Sequence, residues 1–582
     1  MVASLFSSKK LLPDIWVPTF EIKIDEKSLP GEIAKLIQQV EIRQDLGKPD
    51  YFKFQLSDLN TIQLKSPKLK LIEKGELLTE GKKITIGMGY LGKTEKIRTL
   101  FSGRISAITV SFPSNGSPTI LVEGFSDSHK LTYGVQNRSF EASKPDSQIV
   151  KEIAGEIGFS VSVDDTPQRK EPRIQYDVTN WQFLTTLALA NGYFLWVADD
   201  KLYFKKTPPK PEQEVTLEYG KTLLSFNPRL STAELVSEVV VRGWDFIQKQ
   251  RFTSQPEKLI DYIPGQLVAA AKKVIDDGSG KSSRRTITNA PVSSEKEAQT
   301  YAKSVVRGIA NRFITGNGTS VGDSRLQVAT PLNLNGIGRF DGDYLVSSVT
   351  HTISESGYQT SFEVNRSADT SDSPSEDKRR GEDGPRQYGV MIGLVMDNKD
   401  LNGLGRVKVK FPGWSDDEIG HWARMATPMA GDQRGFFCLP EVKDEVLVAF
   451  EQGDMSRPYI VGALWNGKDK PPSTNADGKN NIRVIQSRSG SLIRFDDTKG
   501  GEKIEIQDKN GDNSIVIDIA KGAIVIKSSK DISIEAAQGT IKLNAQNIEI
   551  SSTASTKIEA TKDLNLSATG KTNVKGTMIN LN

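Results

Sequence analysis

The chain has 582 residues, with 76 Lys plus Arg against 73 Asp plus Glu and a formal net charge of +3. That balance excludes a strongly basic nucleic-acid binder and an acidic disordered chain, and the length implies several domains at about 100–200 residues each. A single cysteine, Cys438, and three scattered histidines, His129, His351 and His421, exclude a disulfide framework and a cysteine zinc cluster and leave little for a histidine metal site.

The opening stretch lacks an apolar core of about 7–15 residues, so no secretory signal is expected and the chain is expected to be made in the cytoplasm. Nowhere does a run of about 18 apolar residues occur, so no helix is expected to cross a membrane.

In chain order, residues 1–366 mix strand-like and helical patterns. Alternation or β-branched content predicts strands at Thr19–Ile24, Phe52–Leu56, Lys83–Ile86 and Ser106–Val110. A more helical, α+β insertion is expected at about residues 131–225. In it, Asp146 or Ser147 caps a helix with Ile149, Val150, Ile153 and Ile157 on one face. Thr179 or Asn180 caps a second helix, with Trp181, Leu184, Leu187 and Ala188 on a stripe closed by Asn191-Gly192. Tyr193–Val197 and Lys201–Phe204 read as a hairpin. Strands follow at Glu238–Arg242, Arg325–Val328, Tyr344–Thr352 and Gln359–Val364, with a helix near Glu295–Gly308 between them.

Residues 367–387, SADTSDSPSEDKRRGEDGPRQ, hold no aliphatic residue beyond one alanine and read as a linker. A compact β-patterned stretch occupies 388–467, a second linker 468–480, and a tail 481–582. After Pro472 the tail has no proline, and after Phe495 no aromatic residue. Short Ile-rich strands are predicted at Lys503–Ile506, Ser514–Ile519, Ala523–Ile526, Ile532–Ile534, Ile541–Leu543 and Ile548–Ile550. Ile550, Ile558, Leu566 and Val574 recur every eight residues, the mark of stacked units rather than a globular core. Such strands are too short to stand alone and expose their edges. Several chains wound around one axis, apolar residues inward, would satisfy them; a monomeric β-solenoid is the competing reading.

Gly87-Met88-Gly89-Tyr90-Leu91-Gly92-Lys93-Thr94 matches the phosphate-loop spacing after a strand. A phosphate site also needs a helix starting at the loop. The strand-like Ser106–Val110 follows instead, so the segment reads as a hairpin with a glycine-rich turn. The carboxylate pairs Asp199-Asp200, Asp276-Asp277, Asp416-Asp417 and Asp496-Asp497 sit in turn-like contexts rather than flanking a cleft. Cys438, between Phe437 and Leu439, is expected to be a small buried core residue, and His421 to be buried or interfacial. Lys378-Arg379-Arg380 is neutralised by neighbouring acids, which argues against nucleic-acid binding there.

Within 388–467, the motifs Val395-Met396-Asp397-Asn398, Gly403-Leu404-Gly405-Arg406-Val407-Lys408-Val409, Trp422-Ala423-Arg424, Gly435-Phe436-Phe437, Pro440-Glu441-Val442, Gly453-Asp454 with Arg457-Pro458, and Val461-Gly462-Ala463-Leu464 follow in order. This region resembles the OB-fold domain of VgrG-type spike proteins of contractile injection systems. The first zone resembles the phage baseplate hub and tail protein D, on Leu100-Phe101-Ser102-Gly103-Arg104-Ile105 and Asn180-Trp181-Gln182-Phe183-Leu184. The tail, introduced by Ser487-Arg488-Ser489-Gly490 and Ile493-Arg494-Phe495-Asp496-Asp497, is similar to the trimeric β-helix of the same spikes.

The resemblance implies a mixed, mainly β fold: an α+β hub with β-barrel-like units, an OB-fold barrel and a C-terminal intertwined triple-stranded β-helix. It implies a homotrimeric, non-enzymatic spike that adapts a six-fold inner tube to a three-fold needle and punctures the target envelope. The partners implied are inner-tube and baseplate proteins at the hub and a PAAR-type tip protein around Asn580, Leu581 and Asn582. Contact with the target membrane would be transient, and the spike would be part of a phage-tail-like particle, released or delivered by the apparatus. No catalytic, cofactor-binding or metal residue is expected. The short 468–480 linker leaves no room for the lysozyme that T-even spikes carry between barrel and β-helix, and the chain's end at Asn582 suggests no fused effector. The alternatives are a trimeric β-helical adhesin or fibre and, further off, a nucleotide-binding or lytic enzyme.

Overall fold

Thirteen strands of the first zone pair into one continuous sheet. We describe it from a computed structural model covering residues 17–57, 77–91, 97–115, 117–168, 171–198, 200–207, 215–263, 265–275, 283–290, 292–365, 386–414 and 419–580. The chain divides into two units, 1–468 and 469–582.

The sheet carries two cores. One gathers Ile22, Val40, Ile42, Phe52, Phe54, Ile84, Ile86 and Phe101 from strands in the first 126 residues. The other gathers Leu217, Leu223, Val241, Leu332, Val346, Val349 and Phe362 from strands after residue 215, closed by the helix Glu295–Phe313. The long strand Gly342–Ser354 joins the halves by pairing antiparallel with Ile37–Asp45 on one side and Gly357–Val364 on the other. Its burial alternates along part of its length, as expected where one side faces a core. The expected barrel-like units are therefore halves of one sheet.

Buried in the second half, His351 lies within reach of three groups. Its Nε2 donates to the Leu326 carbonyl at 2.9 Å, and the hydroxyls of Tyr358 and Thr360 lie 2.9 and 3.1 Å from Nδ1. Burial pushes the imidazole down to about 4, so it is neutral near neutral pH. Residues Arg325–Val328, expected as a strand, form turns instead. Asp323 accepts the Arg325 backbone N–H at 2.9 Å and pairs with its guanidinium at 2.6 Å, and Ala329 turns the chain at φ +61°. These local polar bonds override the apolar alternation of Leu326 and Val328.

Between Leu131 and Phe204 a small α+β layer has its own core of Phe140, Ile149, Ile153, Leu184, Leu187 and Phe204, while Val215–Glu218 and Leu223–Leu230 belong to the large sheet. Thr179 caps the helix Asn180–Asn191 through a capping box with Gln182, and Gly192 ends it at φ +65°. The helix Asp146–Ile157 departs from expectation at its start, where Pro145 holds the N-cap position and no side chain caps it. Asp146 instead takes a bidentate Arg173 at 2.8 and 2.7 Å and the Asn191 amide at 2.7 Å. A buried arginine has to be partnered, and that demand claims the carboxylate.

Residues 391–464 close a five-stranded barrel in the order Met391–Asp397, Val407–Lys410, His421–Met425, Pro458–Leu464, Glu445–Phe450. The one parallel contact, Arg424 and Met425 against Tyr459 and Ile460, completes the ring. Burial alternates along Glu445–Phe450, and Val407, Val409, Ala423, Val446, Val448 and Ile460 fill the interior. A closed barrel leaves no free sheet edge.

The second unit begins as a five-stranded antiparallel meander, Ile482–Gln486, Leu492–Asp496, Lys503–Gln507, Ser514–Asp518 and Ala523–Lys527, paired within one chain. From 528 to 580 no strand pairs within the chain, and from 529 to 580 every side chain is exposed. The segments expected as strands at Ile532–Ile534, Ile541–Leu543 and Ile548–Ile550 lie here, where the single chain supplies no hydrogen-bonded neighbour.

Candidate functional site: an assembly interface

The feature that most needs explaining is one face of the meander. Register places Ile485, Ile493, Ile506, Ile515 and Ile526 in one row across all five strands. Two residues along each strand, a second row of Arg483, Phe495, Ile504, Ile517 and Ile524 shares that face, because side chains alternate with period two. Nine of these ten positions are apolar, yet Ile485 is 65% and Ile524 70% exposed. The opposite face is mixed and internally paired: Glu505 is buried between Lys503, at 2.9 Å, and Arg494. Burial would raise the Glu505 pKa, but hydrogen bonds from Lys503 and Arg494 outweigh it and lower it. Farther on, Ile534, Leu543, Ile550, Ile558, Leu566 and Val574 are all exposed. Apolar surface of this extent is larger than scattered exposed residues and is the kind found at interaction sites.

In the first unit, the hub meets the barrel at a seam centred on Arg457. Its guanidinium lies 3.5 Å from Glu171, 3.8 Å from Glu451 and 3.8 Å from Asp454, and donates to the Val292 carbonyl. Burial alone would lower its pKa; the carboxylates of Glu171, Asp454 and Glu451 reverse this and hold it raised. Arg386 bridges the same seam, donating to the carbonyls of Gln452 at 2.9 Å and Asn289 at 2.8 Å. Ile174 and Tyr176 of the insertion pack against the barrel core. The pattern-based reading did not single out this seam; Arg457-Pro458 entered only as a motif, and the partners Glu171 and Val292 lie far away in sequence.

The motif loop Gly403-Leu404-Gly405-Arg406 is organised by Asp400. Its carboxylate takes Arg406 at 2.9 Å through both oxygens and accepts backbone N–H groups of Asn402, Leu404 and Arg406. The Arg406 hydrogen bond chiefly holds this carboxyl far below its usual range. On the same barrel, Cys438 is exposed, a correction to its expected burial. Phe436 and Phe437 before it are exposed too, following the two-residue strands Ala430–Gly431 and Arg434–Gly435; only Leu439 turns back toward the core. An aromatic pair beside cysteine suggested a core, but a surface loop carries it. His421 is buried between the rings of Phe411, 6.0 Å away, and Trp414, 5.9 Å away.

The glycine-rich segment lies largely within a strand: Lys83–Leu91 pairs antiparallel with Arg98–Ser111, which is the next element among the described residues. A Cβ on Gly87 would stand 2.8 Å from Ile97 Cγ2 and 3.1 Å from the Arg98 carbonyl, so close packing accounts for this glycine. Gly92, Lys93 and Thr94 lie outside the described residues, as do Asp199, Asp276-Asp277, Asp416-Asp417, the 367–385 part of the linker, Leu581 and Asn582. Asp200 sits in a turn at φ +54°, Asp496 accepts the Thr498 N–H at 3.0 Å, and Asp497 pairs with Arg483. Asn580 is exposed. Among the described residues no cluster of metal-binding side chains occurs, and no helix is long and apolar enough to cross a membrane.

Residues 15–355 match the family described as the Alg8 N-terminal domain, more than half of the chain, and residues 391–465 match the Type VI secretion system/phage-baseplate injector OB domain. The chain belongs to the Alg8 N-terminal domain family and is similar to VgrG-type spikes. Among its relatives, type VI secretion system spike protein VgrG1b of Pseudomonas aeruginosa is 23% identical over 549 residues, 84% of this chain and 67% of that protein. VgrG5 of the same organism is 28% identical over 138 residues, 22% of this chain and 16% of that protein. VgrG3 of Vibrio cholerae is 31% identical over 133 residues, 21% of this chain. The matched stretches thus span 16% and 13% of the length of VgrG5 and VgrG3. The structure of the half-lidded Francisella PdpA-VgrG complex matches with a TM-score of 0.55 at 10% identity, covering 88% of each chain, which places the fold with VgrG spikes.

Proposed function

We propose that this VgrG-type chain is the homotrimeric, non-enzymatic spike of a contractile phage-tail-like apparatus. The observation that carries the reading is the bare apolar face of the meander, continued by the eight-residue ladder Ile550, Ile558, Leu566 and Val574. Each apolar side chain moved from water into a shared core contributes about 1.5–3 kcal/mol, so many such positions per chain favour association strongly. Three copies around one axis would bury that face and supply inter-chain neighbours to the segments after 527. In such a needle, drawing out one strand requires unwinding its neighbours, which suits the transmission of force.

The hub would dock on the inner tube and baseplate, its two sheet halves per chain providing six similar units around a trimer. The end near Asn580, Leu581 and Asn582 would receive a PAAR-type tip protein. The needle would contact the target membrane only in passing, with the spike acting outside the cell that makes it.

The test is the solution mass of the purified chain by light scattering coupled to chromatography. A stable species at three times 64.0 kDa is expected. A folded species at 64.0 kDa would overturn the needle.

A further inference from the structure

Two cavities of about 450 and 530 Å³ lie along the hub–barrel seam. They share Pro172, Trp244, Glu451, Ser456 and Arg457, so they run together as one groove. Eight Arg and Lys side chains line it against five acidic ones. Some of this charge is spent internally: Arg173 on Asp146, Arg406 on Asp400, and Arg457 on Glu171, Glu451 and Asp454.

Arg242 and Arg251 are different. Neither pairs with a carboxylate among the described residues, and the Arg242 Nε is shielded from water with no acceptor. A buried donor without an acceptor is an exception in a folded protein and marks a place where something else can bind. The strand Glu238–Asp245 and its partner Gln250–Thr253 set Trp244 directly opposite Arg251 and put Arg242 two residues before Trp244 on the same face. Trp244 is 48% exposed although both cavities use it. Farther along, Arg424 stacks over Phe246 at 4.9 Å and Tyr459 at 5.3 Å, again a cation beside aromatic surface with no carboxylate partner among the described residues.

We propose that this groove is a docking site for an acidic peptide segment of a partner protein, with Arg242 and Arg251 taking its carboxylates and Trp244 its apolar side chains. The planar fork of arginine matches a carboxylate in two parallel hydrogen bonds. Alternation of cationic and aromatic groups along an elongated groove fits a chain of alternating acidic and apolar residues better than a compact anion. This inference does not depend on the needle.

The experiment is fluorescence anisotropy on the full-length protein with a labelled peptide of alternating Glu and Leu. A Gln–Leu peptide serves as the neutral control and inorganic phosphate as competitor. Binding of the Glu–Leu peptide, weakening as salt rises, is expected, with affinity falling at least about tenfold in Arg251→Glu and in Arg242→Gln. Arg251 is exposed, so Arg251→Glu leaves the fold intact and an unchanged melting temperature verifies it. Equal affinity in Arg251→Glu, equal binding of the Gln–Leu peptide, or no binding by the unmodified protein would each overturn the proposal. Displacement of the peptide by an equal concentration of phosphate would also overturn it, marking a small-anion site instead.

Discussion

The OB barrel and the tail meander are both small antiparallel arrangements of five strands, and they handle their apolar residues in opposite ways. The barrel turns Val407, Val409, Val446, Val448 and Ile460 inward and buries them within one chain. The meander lines up Ile485, Ile493, Ile506, Ile515 and Ile526 just as regularly and leaves that face bare. Alternation therefore says which residues share a face, but only closure or a partner decides whether the face is buried. Stability of the barrel should be a property of the chain; stability of the tail should be a property of the assembly.

The largest expected effect comes from breaking the exposed face. Ile506→Asp combined with Ile515→Asp, neighbours across two strands, should reduce the light-scattering mass from three times 64.0 kDa to 64.0 kDa. A trimer that survives both charges would mean the meander face is not the association surface.

The hub extends the contrast from apolar groups to charges, because it pairs the buried Arg173 with Asp146 within the chain. Asp146→Ala should destabilise the first unit by about 3–5 kcal/mol in urea, since it leaves Arg173 buried without its carboxylate. The loss should be independent of protein concentration, and Asp146→Asn should fall between the two.

Acid should act on the hub through the imidazole of His351, whereas the tail, with no histidine after His421, can respond only through carboxylates such as Glu505. The buried imidazole titrates at about 4, whereas an unfolded one titrates at about 6.5. The unfolded state therefore takes up the proton first. The contribution is fully present above 6.5 and is lost as pH falls through 4, up to about 3 kcal/mol. Denaturation midpoints measured between these values should show that slope for the native protein, and His351→Asn should flatten it.

The smallest effect is a single methylene in each region. Ile460→Val should cost the barrel about 0.5–1.5 kcal/mol at every protein concentration. Ile517→Val should instead shift a tail melting midpoint that itself moves with concentration; a midpoint independent of concentration would remove the contrast.

Much of this was legible in the sequence for identifiable reasons. The helix starting after Thr179 was readable because cap, stripe and terminating Gly192 are all local. The glycine segment 87–94 was readable as a hairpin because the residues after it alternate rather than cap a helix. Less visible were Asp146, which carries the spacing of a helix cap but serves Arg173, and Arg325–Val328, whose alternation yields to the Asp323 turn. Cys438 was misplaced because aromatic neighbours suggest burial only if the backbone turns them inward. The Arg457 seam was beyond any local pattern, since Glu171, Val292 and Glu451 converge on it from three separate segments.

By itself the sequence determined what periodicity and local chemistry can encode. That includes alternating strands, the helix capped by Thr179, the polar composition of 367–387 and 468–480, and a tail whose Ile ladder recurs every eight residues. Only the tertiary structure decided which faces are closed and which are bare, where Arg173, His351 and Arg457 find partners, and that Arg242 is left without one among the described residues. Side-chain period follows from backbone geometry within a few residues, whereas burial and pairing are set by segments hundreds of residues apart meeting in space.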